Sequence, residues 1–267
     1  MKRIIFWCEF PERVNLNKLD YILKKLNLNI DVYIASNSLK EFNNFKEIFS
    51  RIKQIKTIGY WPILDKNKGY WYSGFTDESS IKDLLKLKGV KLKIDIEPPI
   101  EGNRFSYFKM FFWIAKYCLF KKSKNKDKLS EVFYKLNKEN LIISTFPLHR
   151  FMLSNLININ VFKNSNLNLM HYSSLMPKVL RPFYNVYFRF IFESYRKVAK
   201  NVFVAVGLIS KGVFGNEPIY KDLKEFKRDL EFVKKLKIDS IVVFELSGIL
   251  KRENYEEWFK ALELYKL

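Results

Sequence analysis

Short apolar runs alternate with stretches of helical periodicity from one end of the chain to the other. Residues 4–10 predict a first strand. Leu16, Leu19, Ile22, Leu23 and Leu26 then recur at the spacing of one helix face. Asn15 stands just before that face, where its side chain can accept a hydrogen bond from an unpaired first-turn amide. Residues 30–35 predict a second strand. A helix carrying Phe42, Phe45, Ile48, Phe49 and Ile52 follows, with Ser36 or Ser38 as its cap. The third strand falls at 55–61, a helix at 77–87 and the fourth strand at 90–97. Pro98-Pro99 stops that strand, since proline cannot donate to a ladder. A long helical stretch at 107–137 is interrupted at the lysine cluster 121–128. Strands at 141–146, 167–172, 202–207 and 240–246 and helices at 183–199, 221–236 and 255–264 complete the pattern.

Eight strand–helix alternations predict a closed α/β architecture, a single (β/α)8 TIM-type barrel of parallel strands spanning residues 1–267. The length of 267 residues suits it, since such barrels take about 250. A doubly wound open sheet is the competing arrangement. Against it, the first strand runs into Glu9-Phe10-Pro11 instead of a glycine-rich phosphate turn. No GxGxxG or Walker pattern occurs anywhere.

Composition adds a large apolar supply, 48% hydrophobic and 17% aromatic, enough for a packed core. The net charge of +20 admits an anionic membrane, an acidic glycan or nucleic acid as partner. The basic residues are spread over helical segments, however, which favours solvation over a nucleic-acid-binding stripe. Cys8 and Cys118 form neither a CxxC nor a metal-like spacing. The N-terminus meets Glu9 before an adequate apolar run develops, so it reads as a strand and not a leader. A cytoplasmic protein without nucleotide cofactor or metal is the expectation. His149 and His171 lack ligand-spaced partners.

In a barrel of this kind, chemistry gathers where strands end at the C-terminal face. Those ends carry Trp7 and Glu9, Trp61, Asp95 and Glu97, Thr145, Tyr172, Gly207 and Glu245. The densest element is KLKIDIEPP at 91–99. Residues two apart on a strand share a face, so Asp95 and Glu97 point the same way while Leu92, Ile94 and Ile96 face the helices. Two adjacent carboxylates repel when both are charged, which raises the apparent pKa of one. Glu97 then becomes a candidate general acid and Asp95 its helper. The alternative is a structural pair neutralised by Lys93. A separated pair, Glu97 with Glu245 or with Glu9, is also open. About 5–5.5 Å between carboxyls would mean retention and about 6.5–9.5 Å inversion.

The Asp95-Ile96-Glu97 ending of the fourth strand resembles the acidic motif of family-18 chitinase-type glycoside hydrolases. Met170-His171-Tyr172 resembles that family's Met-x-Tyr segment. The resemblance implies a (β/α)8 barrel in which Glu97 protonates the glycosidic oxygen and the substrate's own N-acetyl group is the nucleophile. Tyr172 would position that acetamido group. Four departures stand beside it. Lys93 occupies a position where the family has an acid, the glycine near the start of its motif is missing, Ser173 follows the tyrosine, and Phe244-Glu245 stands where the family places a tryptophan.

Aromatic rings supply the other half of a sugar site. Trp61, Trp71 and Tyr60 in the Gly-Tyr-Trp repeats around 59–72 are candidate platforms, with Trp7 lower in the cup; core packing is the alternative. Residues 105–122 are aromatic on all sides and punctuated by lysines. They suit either packing on the barrel or contact with an anionic membrane surface. The expected function is hydrolysis or binding of an oligo- or polysaccharide. The alternative is a non-catalytic barrel that binds a glycan or a membrane surface.

Overall fold

The computed structural model describes residues 3–102, 104–136 and 140–265. Eight strands run parallel in sequence order and close on themselves: β1 Arg3–Cys8, β2 Ile30–Ser36, β3 Ile55–Pro62, β4 Leu92–Asp95, β5 Leu141–Thr145, β6 Asn166–His171, β7 Asn201–Val206 and β8 Ser240–Phe244. The closing pair sets Arg3 opposite Ser240 and Trp7 opposite Phe244. The fold is a (β/α)8 barrel.

Strand parity splits the core into two shells. Ile4, Phe6 and Cys8 of β1 join Leu92, Ile94 and Ile96 in an outer shell shared with the helices. Ile5, Trp7, Tyr33, Trp61, Met170, Tyr172, Val242 and Phe244 fill the interior. Gly59 makes one of these fits possible, because a Cβ there would lie 2.3 Å from the Tyr33 ring. Gly59→Ala is therefore expected to cost about 1–3 kcal/mol by overpacking, read as a lower melting temperature.

The helices around the barrel are α1 Leu16–Lys25, α2 Leu39–Phe49, α3 Glu78–Asp83, α4 Tyr107–Ala115, α5 Lys126–Lys135, α6 Arg150–Leu153, α7 Arg181–Arg196, α8 Leu223–Lys234, α9 Leu246–Leu250 and α10 Tyr255–Ala261. Asn15 caps α1, accepting from Lys18 N at 3.0 Å. Ser38, not Ser36, caps α2 through Glu41 N at 3.2 Å. The helical stretch expected at 107–137 divides into α4, a π turn at Lys116–Phe120, and α5; Asn137 lies outside the described residues. Short helices α6 and α9 carry too few turns to show a periodicity in the sequence.

Strand β4 stops at Asp95, two residues earlier than expected, but the chain stays extended. Ile96 N donates to Ser144 O at 2.8 Å and Glu97 N to Tyr72 O at 3.2 Å. The β3–β4 seam is paired only at Tyr60 and Leu92. Above it the 69–72 loop inserts beside β4 through a Tyr72–Ile96 bridge. That insertion brings Trp71 and Tyr70 to the barrel mouth.

Candidate active site

Parity on β4 directs Lys93, Asp95 and, past the strand end, Glu97 inward, and all three are buried. Lys93 Nζ donates to Asp95 Oδ2 at 2.6 Å. The same ammonium sits 3.2 Å from the Trp61 ring centroid and 5.1 Å from that of Trp7, a cation–π cradle. Burial pulls the Lys93 pKa down to about 8, against the attraction of Asp95 and Glu97. Burial also pushes the Asp95 carboxyl up, and Lys93 opposes it. Glu97 is held well above the ordinary range by burial first and by the Asp95 charge second. Lys93 is thus bonded to Asp95, and of the two β4 carboxyls Glu97 is pushed further towards the protonated form.

A second acidic group faces the first. Tyr70 OH donates to Glu9 Oε1 at 2.7 Å. Burial raises the Glu9 pKa to about 8, with the Tyr70 bond opposing it. Tyr70 reaches this position through a left-handed backbone, φ 65°, directly after Gly69 at φ 100°. For a tyrosine that conformation is strained. Gly212 lets Glu217 close in from the loop after β7: a Cβ there would meet Glu217 Oε1 at 3.1 Å and Glu9 Oε2 at 3.3 Å. Among the described residues, Glu9 Oε2 and Glu217 Oε2 are buried without a hydrogen-bond partner. Orphaned polar atoms of this kind are costly in a plain core and typical of sites that receive a ligand.

Above these groups lies a cavity of about 690 Å³, lined by Glu9, Asp95, Glu97, Tyr172 and a wall of aromatic rings. Trp71 is the hinge of that wall, with ring centroids 6.1 Å from Trp113 and 6.4 Å from Phe214. Phe244 spans the floor, 6.5 Å from Trp61 and 5.6 Å from Tyr172. A reciprocal amide clasp ties the loops after β4 and β7 over the mouth. Phe105 N donates to Asn216 Oδ1 at 2.7 Å, and Asn216 Nδ2 returns a bond to Phe105 O at 3.1 Å.

The cavity thus gathers Glu9, Asp95, Glu97, Tyr172, Trp61 and Trp71 from the candidate catalytic and sugar-binding residues. It leaves out three. Glu245 lies just past the end of β8 and is turned to the following helix. It caps α9, accepting from Ser247 N at 3.1 Å and Gly248 N at 2.9 Å, and also from Ser210 Oγ at 2.9 Å. Tyr60 faces outward, since Trp61 faces inward. Its ring stacks on Phe42 at 4.8 Å and its hydroxyl donates to Ser36 O. Trp7 is interior but fully buried one layer below, against Lys93 and Tyr33, and does not line the cavity. Trp61 lines it with one face already occupied by the Lys93 ammonium. Glu245→Ala is accordingly expected to cost about 1–3 kcal/mol of stability, as expected for stranded buried polar partners. Ligand binding in the cavity should stay unchanged, as titration calorimetry would record.

Several cavity residues carried no strand-end signal. Glu217 and Phe214 lie in the loop after β7, and Trp113 lies on α4. His171 faces the helix layer, 2.9 Å from Asn185 Oδ1 and stacked on Tyr184 and Phe232. Among the described residues no group of three or more His, Cys, Asp or Glu is placed to hold a metal ion. Both cysteines are free and buried.

No family model and no curated protein sequence matches the chain. Solved structures do. The PgaB (BpsB) glycoside hydrolase domain from Bordetella bronchiseptica is similar over 96% of this chain and 97% of that one, with a TM-score of 0.57 at 10% identity. The catalytic domain of β-amylase from Paenibacillus polymyxa covers 98% and 97%, with a TM-score of 0.48 at 9% identity. At 10% identity the likeness to the Bordetella domain is one of fold.

Proposed function

We propose that this barrel is a glycoside hydrolase acting on an oligo- or polysaccharide, with Glu97 as general acid and Asp95 as its helper. The observation that carries this reading is the Lys93–Asp95 ion pair at the cavity, with Glu97 two residues further along the chain and lining the same cavity. Lys93 bonds Asp95, and burial together with the neighbouring Asp95 raises the Glu97 pKa well above the ordinary range, which favours a protonated Glu97. A protonated carboxyl facing an aromatic-walled cavity is what departure of a sugar leaving group requires.

In this reaction the Glu97 proton passes to the glycosidic oxygen as the bond to the anomeric carbon breaks. The resemblance to the chitinase-type enzymes supplies the partner step for a 2-acetamido sugar. The acetamido oxygen bonds to the anomeric carbon, Asp95 stabilises the cationic ring that forms, and Tyr172 holds the acetamido group. Water then opens that ring, giving a proton back to the Glu97 carboxylate. Burial raises the Tyr172 pKa, which keeps its hydroxyl a donor. Trp71, with Trp113 and Phe214 beside it, forms the stacking wall for the apolar faces of the sugar.

The Lys93–Asp95 ion pair also favours a second reading, a non-catalytic glycan-binding barrel, because it neutralises half of the carboxyl pair. Chito-oligosaccharides incubated with the protein separate the two. Shorter sugars detected by mass spectrometry support hydrolysis. Binding without any release over long incubation supports the second reading.

A further inference from the structure

Three neighbouring units of the barrel expose large apolar side chains that the cavity does not account for. On α4, Phe108 is 74% exposed and Phe111 68%, and Phe120 at the end of the π turn is 82% exposed. On α6 Phe151 is 70% exposed, and on α7 Phe183 and Val186 are each 73% exposed. These faces adjoin one another. The π turn packs on α6, and Asn155 just past α6 donates to Tyr117 O at 2.6 Å. Tyr187 and Tyr195 of α7 donate to Pro147 O at 2.9 Å and Leu148 O at 3.1 Å in the loop before α6. A monomer gains nothing from so large an exposed apolar face.

The charge of the same segments says what covers it. Residues 102–126 hold seven Lys or Arg and not one Asp or Glu. Residues 141–192 hold five and again none. A second copy of this chain would bring the same positive face against itself, whereas an anionic lipid surface offers both an apolar layer and negative headgroups. No helix among the described residues is long and apolar enough to cross a membrane, so the contact is one of lying on the surface.

We infer that the α4–α6–α7 face seats in the headgroup region of an anionic bilayer and that the cavity receives its saccharide from that surface. The second half rests on the glycosidase reading and names its substrate class, a glycan joined to a lipid. Phe108 and Phe112 belong to the exposed face and also line the cavity, as do Lys109 and Lys116. The mouth and the docking face therefore share helix α4, and a glycan entering past α4 leaves its lipid end in the layer.

Flotation with phosphatidylcholine vesicles, with and without phosphatidylglycerol, tests the docking by itself. The protein should float with the phosphatidylglycerol vesicles and largely lose them at high salt. The triple variant Phe111→Ser, Phe120→Ser, Phe183→Ser changes exposed positions that do not line the cavity. It should keep its melting temperature and bind these vesicles at least about tenfold more weakly, the apolar share of interfacial binding being lost. The inference is overturned if the wild type fails to float, if the triple variant floats equally well, or if light scattering shows a dimer that the variant dissociates. The substrate clause has its own readout. Docking together with cleavage of a vesicle-borne N-acetylglucosaminyl lipid supports it. Docking together with cleavage of soluble sugars alone overturns that clause and leaves both the docking and the glycosidase reading standing. Docking with no cleavage of either overturns the glycosidase reading.

Discussion

Lys93→Met is expected to destabilise the folded protein by about 3–5 kcal/mol at neutral pH, the cost of leaving one member of a buried ion pair alone. Lys93 is 1% exposed and its ammonium is the cation bonded to Asp95, with Glu97 and Glu9 in its field. Methionine fills much of the space but leaves Asp95 without its cation in an apolar surround. The pH dependence has a definite sign. Without Lys93 the folded-state pKa of Asp95 rises further above its unfolded value, so the folded protein binds a proton that the unfolded chain does not. Stability then falls as pH rises through that window, and the deficit is largest above the raised folded pKa. Acidification towards the ordinary carboxylate range should restore part of it. The double variant Lys93→Met, Asp95→Asn should recover most of the loss, because no charge remains to be paired. Chemical denaturation across pH checks all three statements. A single variant as stable as the wild type, or a double variant no better than the single, would contradict the ion-pair account.

Glu97→Gln is expected to lower kcat/KM on a cleavable chito-oligosaccharide by about 10²–10⁴, the usual contribution of a positioned general acid. Glutamine keeps the shape and the contacts of a protonated glutamic acid, so the dissociation constant for the same ligand should change little. In the wild type, activity should persist while Glu97 holds its proton and decline as pH rises through its raised pKa, giving an alkaline limb well above the ordinary glutamate range. Steady-state kinetics over pH, with binding measured alongside, reads both effects. A glutamine variant that keeps its turnover would remove Glu97 from the chemistry.

The barrel and the heart of its mouth were legible in the sequence because strands repeat every two residues. Lys93, Asp95 and Glu97 fall on one parity and Leu92, Ile94 and Ile96 on the other, and the two shells of the core follow that division. The same rule, applied strictly, also excludes Tyr60, which adjoins the inward-facing Trp61 and must itself face the helices. Glu245 lies past the end of β8, where its capping bonds to α9 and not the strand period decide its place. Trp7 has the right parity, and only the packing of Lys93 above it removes it from the cavity. Glu217, Phe214 and Trp113 come from a loop and a helix with no strand period to place them. The exposure of α4 was equally hidden. A helix aromatic on every side gives the same pattern whether neighbouring protein covers it or not, and only the neighbouring α6 and α7 faces distinguish the cases.

The central claim is that Glu97 delivers the proton that cleaves a glycosidic bond in this cavity. Its most direct measurement is mass spectrometry of chito-oligosaccharides incubated with wild type and Glu97→Gln in heavy-oxygen water, with bound ligand quantified in the same samples. The account predicts new reducing ends carrying one heavy oxygen with the wild type, and bound but intact ligand with the variant. Equal release by both proteins, or binding by both with no release by either, would contradict it.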